Sequence, residues 1–524
     1  MAALAPTQAC TASTFSTISL FGADTLSISA NLVTNYDFAV PDGWRYSQPP
    51  VNVHNATFCN VTVTYTHPGQ DDTIDAEIWL PPSDWNGILQ SIGGGGWTAG
   101  RYYLSYAGMA GALHDGYATA TTNAGVGNSP DPASWGLVSP GNMNLVAFDN
   151  FGQTSLNDLA ILAKAVIRAY YGQDPRYSYW NGCSNGGRQA SILAQQYPTA
   201  YNGIIAAAPA MQWVELAATS IWPAFYMDLT KQYPRKCEMT KLTAITVAEC
   251  DALDGVNDGI ISDPDECKTT FNLDDHLGTP FFCNETGTTM TITETAIDVA
   301  RAILDGPRYS NGDFLWFGYE LGTDLSALAA TTCTGAESNT CIPVQRQSLQ
   351  FWWKFFVLGD LAANITTLTH EQYDQLYLTL KKKLAPVAAT EPRISAFQRA
   401  GGKMLTFHGL IDAAITPAST LHYFNEVFNI LDNSTSFYRY YRVPGLQHCY
   451  GGPGGQPVQM FDQLRAWVEN GTAPGASPVT VTLPGNGTMR QVVCPYPLKA
   501  VYQSFCAGAS AAGAAGAEEC WECQ

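Results

Sequence analysis

Two rhythms of apolar and polar positions run through the first 210 residues. Short, nearly continuous apolar runs at 88–92, 117–121 and 203–207 have the length and the turn-forming borders of buried strands. Between them, 100–114 and 157–171 carry apolar residues at helical spacing. In the second stretch Leu159, Leu162, Ala163, Val166 and Ile167 fall on one face. A further strand is expected at 177–180 and a further helix at 188–196. Such alternation predicts an α/β fold on a mainly parallel sheet.

From about 211 the alternation stops. Cysteines, Gly/Asp loops and aromatic helical runs such as 351–356 replace it as far as about 400. The rhythm returns with a strand at 403–407, a helix near 417–430, a strand at about 436–443 and a helix at 457–469. The expected organisation is a core in two parts, 1–210 and 401–506, with a domain inserted at 211–400. An Ala/Gly-rich tail at 507–524 is expected to be flexible.

The chain has 524 residues, 46% of them hydrophobic and 12% aromatic, enough for a large core and more than one domain. Its formal net charge of −19 leaves no Lys/Arg stripe for a phosphate backbone, which argues against nucleic acid as a partner. Fourteen cysteines accompany N-x-S/T sequons at Asn55, Asn60, Asn284, Asn364, Asn433, Asn470 and Asn486. Together they favour an oxidising, glycosylating secretory route. The first 30 residues lack a basic segment followed by an apolar one, so residue 1 is read as lying near a mature N-terminus from which a signal peptide has gone. No run of 18 apolar residues offers a membrane span. A secreted protein is expected.

The chemistry gathers at two cysteine-flanked positions. Ser184 lies in Gly182-Cys183-Ser184-Asn185-Gly186-Gly187, between an expected strand and an expected helix, the layout of a G-x-S-x-G nucleophile elbow. His448 adjoins Cys449. A Cys183–Cys449 bond would bring that histidine to the elbow. Acyl transfer by a serine needs a base, an acid group to orient the base, and donors for the developing oxyanion. Asp412, after the strand at 403–407, supplies the acid and completes the order Ser, Asp, His of an α/β-hydrolase. The oxyanion donors are expected from the backbone of Asn185 and of the glycine run 93–96, Gly94 and Gly95 in particular. A phosphate cradle would need Lys-Ser/Thr after those glycines, and Trp97-Thr98-Ala99 follows instead. Taken alone, Asp412 is an ordinary turn aspartate and His448 a loop histidine; their joint order carries the reading. His408 is the nearest rival base and is expected beside the triad.

The run from Gly182 to Gln189, His408-Gly409-x-x-Asp412 and His448-Cys449 together resemble the tannase/feruloyl esterase family. The resemblance extends from the glycine run to Cys494-Pro495-Tyr496-Pro497. It implies an α/β-hydrolase core with a large inserted lid, and hydrolysis of carboxylic esters, usually of hydroxycinnamoyl or galloyl type. Asn157 stands where many relatives carry histidine, and Leu410-Ile411 where they carry Trp-Ala. Lid aromatics Trp213, Trp222, Phe351 and Trp353 are candidate walls for an aromatic acyl group, with lid core as the plainer reading. Two alternatives remain: a specialised-metabolite esterase, lactonase or acyltransferase using the same triad, and a non-catalytic calcium-dependent binding protein on a hydrolase scaffold.

Residues 251–260 pack three acids into eight positions with two glycines, a pattern that suits either a hard cation or a solvated acidic turn. The resemblance assigns a structural calcium ion of the lid here. Its ligands would be the carboxylates of Asp251, Asp254 and Asp258 and the carbonyls of Val256 and Ile260. Cys250–Cys267 is expected to close this loop. Cys10–Cys59 and Cys333–Cys341 follow from spacing and resemblance together, and Cys237–Cys283 from what remains. Cys494, Cys506, Cys520 and Cys523 allow three pairings.

Overall fold

The computed structural model describes residues 8–335, 341–344, 347–503 and 517–524. The expected flexible tail and Cys506 fall mostly or wholly outside them. Nine strands form one mixed sheet: β1 (Asp24–Val40), β2 (Val51–Thr66), β3 (Ile74–Leu80), β4 (Ile88–Ile92), β5 (Ala118–Thr122), β6 (Tyr177–Cys183), β7 (Gly203–Ala207), β8 (Lys403–Gly409) and β9 (Tyr438–Val443). Their order is β1-β2-β3-β5-β4-β6-β7-β8-β9. The pairings from β5 through β9 are all parallel, and the three at the other edge are antiparallel.

Side chains on the central strands alternate between two cores, as a period of two requires. Trp180, Ile204, Met404 and Tyr440 face one side, packed beneath the helices Ser155–Tyr171, Asn185–Gln196 and Pro417–Ile430. Tyr179, Ile205, Leu405 and Tyr441 face the other side, against the helix Met460–Asn470. Burial on both faces explains why these strands read as continuous apolar runs. The β1–β2 hairpin was not foreshadowed by such a run. Most β1 positions are exposed, and its core-facing residues Ile28, Ala30, Val33, Tyr36 and Phe38 are only partly buried and interrupted by register shifts. No continuous apolar run therefore marks the strand, which pairs with β2 from Asp24↔Thr66 to Val40↔Val51.

The chain leaves the sheet after β7 and returns at β8, the neighbouring strand, with Lys403 paired to Gly203. The described residues of the segment between add no strand to this sheet. The segment's helix Trp213–Thr230 packs in an aromatic core that also takes Trp97 and Phe151 from the sheet side. The aromatic run Trp352–Leu358 is wound as a π-helix. No helix among the described residues is long and apolar enough to cross a membrane.

Candidate active site

Parallel strands in an open α/β sheet deliver their following loops to one edge, where ligands bind. Here β4 leads into the glycine run 93–96, β6 into Ser184, β8 into Asp412 and β9 into His448. Ser184 sits at φ 61°, ψ −120°, a conformation that costs a non-glycine residue on the order of 1–3 kcal/mol. Three hydrogen bonds hold it there. Its N–H donates to the Ala207 carbonyl at 3.0 Å, and its own carbonyl accepts from the N–H groups of Arg188 at 2.9 Å and Ala210 at 3.1 Å. The flanking glycines are a packing requirement. A Cβ on Gly182 would stand 2.6 Å from the Gly186 backbone, and one on Gly186 would stand 2.8 Å from the Gly94 carbonyl.

Asp412 is fully buried and saturated with donors. Its Oδ1 accepts from the N–H groups of Ala414 (2.7 Å) and Ile415 (2.9 Å). Its Oδ2 meets His448 Nδ1 at 2.7 Å and His408 Nε2 at 3.0 Å. That His408 nitrogen also faces the Ile415 carbonyl at 3.1 Å, so two acceptors place the hydrogen on Nε2, while Nδ1 pairs with Thr420 Oγ1 at 2.8 Å. Burial alone would raise the Asp412 carboxyl, but the two imidazoles outweigh it and hold the group well below the usual carboxylate range. Burial alone would likewise lower His448; the charge and hydrogen bond of Asp412 outweigh that and raise it above the ordinary imidazole value. The Asp412 contact engages Nδ1 and leaves Nε2 of His448 for the cleft.

Ser184, His448 and the Cys183–Cys449 disulfide line one cleft of roughly 940 Å³, near the upper end of the size usual for a small-molecule site. Among the described residues Ser184 Oγ makes no hydrogen bond to His448, a contact that in free hydrolases often tightens only with substrate in place. The aromatic wall differs from expectation. Trp213, Trp222 and Trp353 are 2%, 4% and 0% exposed and belong to the core. The Trp222 and Trp353 indoles donate to the Ala302 carbonyl (2.9 Å) and the Ala217 carbonyl (3.1 Å). Phe351 packs on Phe355. The cleft is instead faced by Tyr46 and Tyr450 from loops of the sheet and by Tyr102, Tyr103 and Leu104 at the start of the helix Tyr103–His114, with Ile411. Tyr102, Tyr103 and Leu104 are consecutive, but Tyr46, Ile411 and Tyr450 come from distant parts of the chain, and only folding brings the set together.

The glycine run also corrects the sequence reading. The Gly94 N–H donates to Gln189 Oε1 at 2.9 Å and the Gly95 N–H to the Thr98 carbonyl at 3.1 Å. Both amides serve the loop's own fold, so neither is available to an oxyanion. The N–H of Asn185 lies in the first turn of its helix, where no intrahelical acceptor exists. The side chains of that helix lock the loop. Asn185 Nδ2 donates to the Thr98 carbonyl (3.1 Å), and Gln189 Nε2 to the Ala99 carbonyl (2.9 Å). Arg188, wholly buried, is pushed down to about 9 by burial and remains a cation at neutral pH. Asn185, Arg188 and Gln189 lie on one buried helical face, and their i, i+3, i+4 spacing is the signal the sequence carries for them.

In the loop 251–260, Asp251 Oδ1 gathers the N–H groups of Asp258, Gly259 and Ile260 at 2.9–3.3 Å. Gly255 and Gly259 turn it at positive φ. Burial, helped by Asp254 and Asp251, pushes the Asp258 carboxyl up to about 7. Asp254 Oδ2 is buried without a hydrogen-bond partner among the described residues. The three carboxylates do not come within 4.8 Å of one another through one oxygen each; they lean on the loop's own amides, and Asp258 Oδ2 also accepts from Gln491 Nε2 at 2.5 Å. One buried and two half-buried carboxylates that repel one another, with an orphaned oxygen among them, fit a hard cation. The disulfides Cys10–Cys59, Cys237–Cys283, Cys250–Cys267 and Cys333–Cys341 form as expected, and Cys494 pairs with Cys523.

A family model described as tannase and feruloyl esterase matches residues 59–516. A probable feruloyl esterase of Arthroderma benhamiae is 35% identical over 455 residues, covering 85% of this chain and 83% of that protein. A tannase of Aspergillus oryzae is 28% identical over 500 residues, covering 85% and 83%. The solved structure of tannin acyl hydrolase from Aspergillus niger superposes with a TM-score of 0.85 at 26% identity, over 100% of this chain and 96% of that one.

Proposed function

The chain belongs to the tannase and feruloyl esterase family and is a carboxylic ester hydrolase, and from that premise we propose that it is secreted and cleaves hydroxycinnamoyl or galloyl esters through an acyl-enzyme on Ser184. One observation carries the residue assignment. A serine held at positive φ shares a cleft with a histidine whose Nδ1 lies 2.7 Å from a buried carboxylate. His448 accepts the Ser184 proton as Oγ attacks the ester carbonyl carbon, and Asp412 holds the imidazole with Nε2 unprotonated. The carbonyl oxygen takes the electron pair and is met by the Asn185 N–H. Collapse expels the alcohol, protonated by His448, and water repeats the sequence on the acyl-enzyme. The phenolic and apolar faces of the four cleft tyrosines suit an aromatic acyl group.

The loop 251–260 would hold calcium through Asp251, Asp254, Asp258 and the carbonyls of Val256 and Ile260. The ion would neutralise the loop and secure the lid, away from the reacting atoms. Secretion is supported by the disulfides and by six exposed sequon asparagines. The test is hydrolysis of methyl ferulate, methyl caffeate, propyl gallate and 4-nitrophenyl acetate by wild type and Ser184→Ala. Turnover of a hydroxylated aryl ester that the variant abolishes without loss of fold is the expected result. Variant activity near wild type would end the Ser184 assignment.

A further inference from the structure

Arg188 breaks two local rules directly behind the nucleophile. It is a cation in the first turn of a helix, where the backbone dipoles already present positive potential. It is also wholly buried, and all three of its hydrogen-bond acceptors are neutral. Nε donates to Asn185 Oδ1 at 2.8 Å, and the terminal nitrogens donate to the carbonyls of Gly152 at 2.6 Å and Phe151 at 3.2 Å. Those two carbonyls lie in the π-helical turn Asn150–Thr154, a distortion frequent at functional sites. The guanidinium lies 4.2 Å from the ring centre of Trp213, at the start of the first lid helix. Burial is what lowers its titration, and among the described residues no carboxylate pairs with it. A buried charge without a counter-ion costs several kcal/mol, and such violations gather where function requires them.

We propose that Arg188 is a positioning residue for acyl transfer, holding Asn185 by its side chain and directing an uncompensated positive charge toward the oxyanion. This rests on the reading of Ser184 as the nucleophile. The bond to Asn185 Oδ1 fixes the amide so that its Nδ2 binds the Thr98 carbonyl, the same oxygen that takes the Gly95 N–H. The elbow and the glycine run are thereby clamped to one guanidinium. As the Oγ–carbon bond forms and the carbonyl electron pair moves to oxygen, the proton goes to His448. Arg188 keeps its protons throughout and acts by charge and by fixing Asn185. A guanidinium paired with a carboxylate would still donate to the same carbonyls, but the counter-ion would cancel that field.

The experiment compares wild type with Arg188→Met and Arg188→Lys on a hydrolysed aryl ester, with affinity for an arylboronic acid, which binds a catalytic serine as a tetrahedral anion. In folded Arg188→Met, kcat and boronate affinity should fall together by about 100-fold while KM stays within about three-fold, the scale of losing one oxyanion-stabilising group. Arg188→Lys, which keeps the charge, should recover about ten-fold of the boronate affinity. Unchanged kcat and boronate affinity in folded Arg188→Met would overturn the proposal. So would a lysine variant no better than methionine, which would leave a purely structural role. If the methionine variant does not fold, Arg188→Gln against Arg188→Lys makes the same comparison. Wild-type protein that neither hydrolyses esters nor binds the boronate would instead overturn the reading of Ser184, a result seen before any Arg188 variant is made.

Discussion

Replacing Asp412 by asparagine tests how far the buried carboxylate governs His448. The side chain keeps its shape but exchanges one acceptor oxygen for a donor. Oδ1 receives two backbone N–H groups, from Ala414 and Ile415, which cannot change their role. The asparagine oxygen must therefore stay on that side, and its NH₂ takes the place of Oδ2, facing His448 Nδ1 and His408 Nε2. His448 then has to accept at Nδ1 and carry its hydrogen on Nε2, where it cannot take the Ser184 proton. The equivalent tautomer error in serine proteases costs about 10⁴ in kcat, or about 5.4 kcal/mol of barrier at 1.36 kcal/mol per decade. The pH profile adds a signed check. His448 is raised in the native protein by Asp412, so wild-type kcat/KM should fall as pH drops through a value above the ordinary 6.5 or so. Without the carboxylate that support is gone, and the acidic limb should move to lower pH. Steady-state kinetics on one aryl ester across pH, with circular dichroism to confirm folding, reads both effects. A folded Asp412→Asn enzyme within ten-fold of wild type, or an acidic limb moving upward, would refute the reasoning.

Replacing both Cys183 and Cys449 by alanine opens a loop of 266 residues, worth up to about 5.6 kcal/mol of unfolded-chain entropy. Chemical unfolding should show a loss of at least about 2 kcal/mol together with reduced kcat, and an unchanged midpoint would contradict it. Chelation should lower the melting temperature, and added calcium should restore it; a site filled at about 100 times its Kd contributes about 2.7 kcal/mol. Asp258→Ala should abolish that response, and a response surviving in the variant would move the ion elsewhere. Of the seven sequon asparagines, Asn60 is half-buried in β2 with its Nδ2 donating to Glu77 Oε1 at 3.1 Å, whereas the other six are exposed. Glycopeptide mass spectrometry of protein from a glycosylating host should find Asn60 unmodified, and a glycan there would require this part of the sheet to be formed late.

The sequence by itself determined the parallel core and the identity of the gathered residues. Strands buried on both faces must be apolar throughout, which makes them legible as short runs. The elbow is legible too, because the close approach at Gly182 and Gly186 excludes every larger residue from a local motif. The cysteines beside Ser184 and His448 announced a contact across the chain, since a covalent link leaves a mark at both ends. Where a role depended on which group a side chain meets after folding, only the tertiary structure could decide. Gly94 and Gly95 have the composition of an oxyanion loop, yet Gln189 and Thr98 take their amides. The lid tryptophans are as apolar in a core as in a pocket wall, and packing assigned them to the core. The four cleft tyrosines carry no periodicity that marks a cleft, and the spacing of Arg188 with Asn185 and Gln189 marks a polar helical face without showing that folding buries it. Their significance is set by partners distant in sequence, which no local pattern encodes.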